Sequence, residues 1–101
     1  MHFIVIARDF KDEKALERRM AARTEHLKNA DKLRVEGKLV YAAALLNEEG
    51  KMAGSVMAVN FDSEAELNET WIKNEPYVLG KVWETVEINK AAQAPVTRDR
   101  K

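Results

Sequence analysis

No cysteine occurs among the 101 residues, which excludes disulfides, thiolate metal sites and a thiol nucleophile. Histidine is nearly as scarce, with only His2 and His26. Two imidazoles without thiolates make a poor metal site, so no metal is expected. No glycine-rich phosphate loop or dinucleotide fingerprint occurs either, and no cofactor is expected. Neither sign of charge prevails, since 17 Lys and Arg balance 17 Asp and Glu. A nucleic-acid partner, which calls for a basic face, is not expected. The first apolar run, Phe3–Ala7, is far too short for a signal core or a membrane span. The expectation is a soluble cytoplasmic protein that does not engage a membrane.

Proline and glycine number only two and four, so each marks a boundary. Between them the chain is patterned. Phe3–Arg8 is rich in β-branched and aromatic residues and reads as a central strand, apolar on both sides of its alternation. Lys14 to Glu36 lacks breakers and reads as a long helix, ended by Gly37. Leu39–Leu46 and Met52–Phe61 flank the short polar loop Asn47-Glu48-Glu49-Gly50, a β-hairpin pattern. Ser63 and Glu66 form a capping box for a second helix reaching about Asn74. Pro76 stops that helix and makes Glu75-Pro76-Tyr77 a corner. Val82–Ile88 alternates as a last strand. Residues 91–101 read as a tail that is disordered or docks on a neighbour.

The order β-α-β-β-α-β predicts an α+β, ferredoxin-like domain over residues 1–90, with two helices on one face of a four-stranded antiparallel sheet. Strands apolar on both faces require a second cover. In a chain this short the expected cover is a second copy, packed sheet against sheet as a homodimer.

Placed at ~100° per residue, Leu16, Met20, Leu27, Ala30 and Leu33 share one apolar arc of the first helix. Arg19, Arg23 and His26 fall inside the same arc, with Arg23 near its middle and Arg19 nearer the rim. A buried arginine there needs an anionic or hydrogen-bonding partner, and a histidine one turn on adds a group able to move protons near neutral pH. Glu75 at the proline corner could hydrogen-bond one imidazole nitrogen of His26, or could be a solvent-exposed carboxylate closing a helix. Arg23 could take a substrate carboxylate with two hydrogen bonds, or an internal acid. Ser55 and Tyr77 are candidate pocket-lining groups, while Trp71 and Trp83 are assigned to the core or an interface.

The runs Arg19–Leu27 (R-M-A-A-R-T-E-H-L), Glu36–Leu39 (E-G-K-L), Gly54–Val56 (G-S-V) and Glu75–Val78 (E-P-Y-V), in this order, resemble the YciI-like (YCII-related) family. The resemblance spans Phe3 to about Ile88. It implies a dimeric α+β barrel of ferredoxin-like protomers with a small enzymatic site built on a histidine and an acid. One branch of the family carries out dehydrochlorinase-type lyase chemistry. The family histidine falls on His26, and the acid, usually Asp in D-P-Y, falls on Glu75. The family R-P-x-H-L stands here as Arg23-Thr24-Glu25-His26-Leu27, without the proline, and a family A-G-P stands as Ala42-Ala43-Ala44. The functional expectation is a cofactor-independent lyase or isomerase acting on a small anionic substrate. His26 and Glu75 would be catalytic, and Arg23, Ser55 and Tyr77 would bind substrate. The alternative is a non-catalytic ligand-binding or oligomerisation module.

Overall fold

The computed structural model describes residues 1–97. The last four residues, in the expected tail, lie outside the described ones. The chain runs β1 (His2–Asp9), α1 (Ala15–Val35), β2 (Leu39–Leu46), β3 (Met52–Asn60), α2 (Glu64–Thr70), α3 (Pro76–Leu79) and β4 (Trp83–Ala91), with 3-10 turns at Ile72–Asn74 and Pro95–Thr97. The four strands form one antiparallel sheet in the order β2-β3-β1-β4, the α+β, ferredoxin-like arrangement. β1 lies in the middle, as its two-sided apolar run anticipated.

The register sorts the two faces. Val5 pairs with Met57, and Ala7 with Ser55. Phe3, Val5, Ala7, Asp9, Ser55, Met57 and Val59 are all buried on the helix side. On β2 the residues in register with Met57 and Ser55 are Ala42 and Ala44. Both remain exposed, because a methyl group does not reach the helix and a slot stays open between α1 and β2.

α1 ends in a Schellman motif: Gly37, at φ +77°, lets Lys38 N–H reach the Leu33 carbonyl at 2.8 Å. Its buried stripe differs from the expected arc. Ala15, Arg19, His26, Ala30 and Leu33 are buried, whereas Met20 and Leu27 are about half exposed. The centre of the inward face lies on Arg19 and His26, because both find polar partners inside. Arg19 is therefore not a rim charge; it is 3% exposed.

The second helix is shorter than expected. It begins on the Ser63 cap, whose hydroxyl accepts from Glu66 N–H at 3.1 Å, while the Glu66 carboxylate accepts from Asp62 N–H at 3.0 Å. Trp71 then leaves helical geometry (φ −122°, ψ −67°) and buries its indole. Pro76 does not close a helix; it opens α3 from the N1 position with Glu75 as the N-cap.

Candidate active site

Two buried polar clusters meet at the Tyr77 ring. The first starts from the alternation of β1, which carries Asp9 onto the core side after Phe3, Val5 and Ala7. Both Asp9 oxygens accept from Arg19 Nη1 at 2.9 Å. Arg19 Nη2 donates to Ser55 Oγ at 2.9 Å, and Trp83 Nε1 donates to the same oxygen at 3.2 Å. Burial pushes the Asp9 carboxyl above its ordinary range, and the Arg19 charge and hydrogen bonds oppose that only in part. Arg19 Nε is sealed without an acceptor among the described residues.

The second cluster joins α1 to the segment before α3. His26 Nδ1 is hydrogen-bonded to Glu75 Oε1. Glu75 Oε2 accepts from Trp71 Nε1 at 2.8 Å, and Oε1 also accepts from Tyr77 N–H at 3.3 Å. A carboxylate with N–H donors on both oxygens is an acceptor, which assigns Nδ1 as the donor and leaves the Nε2 lone pair free. Nε2 has no protein partner among the described residues and is not a sealed atom. The imidazole stacks on Tyr77 with centroids 3.9 Å apart and planes 11° apart, and Trp83 meets it edge-on at 6.1 Å. Two helical turns away, the Arg19 guanidinium lies 4.7 Å from the Tyr77 centroid. Desolvation raises the Tyr77 phenol, and Arg19 and Arg23 oppose this in part.

His26, Arg19, Arg23, Ser55 and Tyr77 line a cavity of about 200 Å³ in the slot between α1 and β2. Leu27, the alanines of β2, Met52 and Met57 supply its apolar wall. The structure thus brings together all five residues singled out in the sequence. They are not equivalent. Glu75 lies behind His26, 1% exposed and off the cavity. Arg23 is exposed at the cavity and makes no ion pair or hydrogen bond among the described residues. Arg19, placed at the rim from the sequence, is the cation that the fold buries. Sequence reasoning also missed Asp9 and the polar roles of Trp71 and Trp83. The signals were present: period two along β1 turns Asp9 inward, and Trp71 stands four residues before Glu75.

The YCII-related domain model matches residues 1–92. The chain belongs to the YCII-related family. Among solved structures, it resembles 5-chloro-2-hydroxyhydroquinone dehydrochlorinase from Burkholderia phenoliruptrix, in complex with 2,5-dihydroxybenzoquinone. That likeness has a TM-score of 0.78 at 17% identity and covers 93% of this chain and 96% of the other. A putative antibiotic biosynthesis monooxygenase from Bacteroides thetaiotaomicron follows at TM-score 0.60 and 16% identity, over 99% of this chain and 96% of that one. Protein Atu4242 from Agrobacterium tumefaciens matches at 0.51 and 17%, over 97% and 98%. At these identities the likeness establishes the fold alone. Comparison with curated proteins by sequence finds no match. Among the described residues, no helix is long and apolar enough to cross a membrane, and no three His, Asp or Glu side chains cluster to hold a metal ion.

Proposed function

We propose that this YCII-related protein is a cytoplasmic, homodimeric, cofactor-independent enzyme of the lyase or isomerase type, acting on a small anionic organic substrate. The observation that carries this reading is His26, with Nδ1 held by a sealed carboxylate and Nε2 unpartnered at the cavity. An oriented imidazole of this kind is what general acid–base catalysis requires. His26 takes a proton from the substrate through Nε2 and returns it later in the reaction. Glu75 fixes the tautomer and stabilises the imidazolium that forms. Arg23, unpaired at the cavity, holds an anionic group. Ser55 and Tyr77 position the substrate. The structurally similar dehydrochlorinase supports the reading by analogy, since loss of hydrogen chloride also needs a base. Dimerisation would cover the second sheet face.

The test is proton exchange. Small oxo acids, hydroxy acids and cyclic diketones are incubated with the protein in deuterated buffer, and loss of carbon-bound proton signal is followed by NMR. Exchange is expected for at least one compound and should vanish in His26→Ala. Compounds that bind without exchanging in any case would overturn the enzymatic reading and leave a binding module.

A further inference from the structure

The cavity holds two hydroxyl groups whose hydrogen bonds do not balance within the protein. A serine hydroxyl has one proton to donate and two lone pairs to accept with. At Ser55 both acceptor positions are taken, by Arg19 Nη2 and by Trp83 Nε1, and both partners are N–H groups that only donate. The Ser55 proton therefore has to point elsewhere, and no protein acceptor among the described residues takes it. Ser55 is buried, and it lines the cavity. Tyr77 presents the same imbalance. Its ring is enclosed and the residue is only 1% exposed. Yet its phenol oxygen makes no hydrogen bond among the described residues and is not a sealed atom. The small surface that Tyr77 keeps therefore includes that oxygen, and Tyr77 is among the residues that line the cavity.

We infer that the Ser55 and Tyr77 hydroxyls form an oxyanion-binding pair, and that the substrate class is carbonyl compounds deprotonated at the carbon next to the carbonyl. This deepens the proposed acid–base reading and rests on it for the proton transfer. His26 Nε2 is the acceptor in a cavity otherwise rich in donors: two hydroxyls and the Arg23 guanidinium. A ligand that satisfies such a site presents oxygen acceptors to the hydroxyls and a C–H to the imidazole. In the step, the C–H bond breaks and the proton goes to Nε2. The electron pair of that bond forms a carbon–carbon double bond, and the carbonyl π pair moves onto oxygen. The resulting enolate oxygen accepts from the hydroxyls, donors already oriented before the charge develops. Returning the proton to another carbon completes an isomerisation. Expelling a leaving group from the neighbouring carbon, with re-formation of the carbonyl, completes an elimination. Arg19 does not reach the substrate in this scheme. It is a positioning residue that occupies a Ser55 lone pair and so directs the serine proton outward.

The inference is tested by binding, apart from turnover. The probe is para-nitrophenol, whose ionisation is visible in its absorbance and whose ring suits the site, since a cavity of about 150 Å³ takes benzene. Wild-type protein should bind the phenolate at least about tenfold more tightly than the neutral phenol, as preorganised donors imply. Tyr77→Phe keeps the ring stack and removes one donor, and should lose most of that preference with Arg23 intact. Ser55→Ala should do the same where it folds; Tyr77→Phe decides the matter if it does not. His26→Gln should keep the preference while abolishing proton exchange, so failure of the acid–base reading remains distinguishable. Equal binding of the two forms, no binding at millimolar phenolate, or an unchanged preference in Tyr77→Phe would each overturn the pair.

Discussion

Around Glu75, one carboxylate accepts from His26, Trp71 and the Tyr77 backbone at once. Its two oxygens thereby serve partners on different elements. Glu75→Gln keeps the volume but offers one acceptor oxygen, so at least one buried donor loses its partner. A stability loss of about 1–3 kcal/mol is expected in chemical denaturation. Proton exchange should fall by roughly 10²–10⁴, close to the loss in His26→Ala, since the imidazolium loses its counter-charge. Asp9 makes a second residue-scale case. Asp9→Asn leaves the Arg19 cation buried without its anion, and a loss of about 3–5 kcal/mol is expected. Adding Arg19→Met should recover part of that loss, because an apolar pair avoids the desolvation that the ions suffer. A double variant no more stable than Asp9→Asn in urea melts would contradict this account.

At the scale of elements, close approach and charge decide the joints. Gly54 sits where β3 passes β1, and a Cβ there would stand 2.6 Å from the Ala7 carbonyl oxygen and 3.1 Å from Leu45 Cδ1. Gly54→Ala should therefore cost about 1–3 kcal/mol through backbone displacement, read as a lower thermal midpoint. The start of α1 is tied back by Asp12, whose two oxygens accept from Arg18 at 2.8 Å, while Arg18 Nε donates to the Lys81 carbonyl at 2.9 Å. The Arg18 hydrogen bonds hold the Asp12 carboxyl at about 2, below the ordinary 3.8. A carboxyl lowered in the folded state stabilises it above its unfolded value, and the benefit is lost as pH falls through the folded value. The stability difference between wild type and Asp12→Asn should accordingly shrink as pH falls from about 4 to about 2. Asp9, raised by burial, acts in the opposite sense, and its contribution declines as pH rises past its folded value.

At the scale of the whole molecule, the sheet face away from the helices carries Ile4, Ile6, Val56 and Ala58, with Tyr41 61% exposed beside them. The proposed homodimer covers this face. Sedimentation at micromolar concentration should give a dimer or a larger even assembly. Val56→Asp, in register with Ile6 at the middle of the face, should shift it to monomer. A folded wild-type monomer under those conditions would remove the dimer from the proposal.

The order of elements was legible in the chain because it depends on local physics. Period-two alternation, a breaker-free helix, the Gly37 stop and the Ser63 cap each act within a few residues. The pairing of His26 with Glu75 was partly legible, through the split βαβ order that brings both helices to one side of the sheet. Only the tertiary structure decided which arginine went inside. A helical wheel defines an arc, but the strands opposite set its centre, and β1 and β3 there carry Asp9 and Ser55. Arg19 faces them and is buried, and Arg23, one turn on, opens on the cavity. The same holds for Trp71, which leaves α2 because its indole finds the core and the Glu75 carboxylate together. The slot between α1 and β2 exists because alanines at 42 and 44 come to lie in register with Ser55 and Met57. A hydrogen-bond deficit at Ser55 or Tyr77 appears only when every neighbour of the hydroxyl is known. For Ser55 those neighbours are Arg19 on α1 and Trp83 on β4, 36 and 28 residues away, and spacing along the chain carries no record of them.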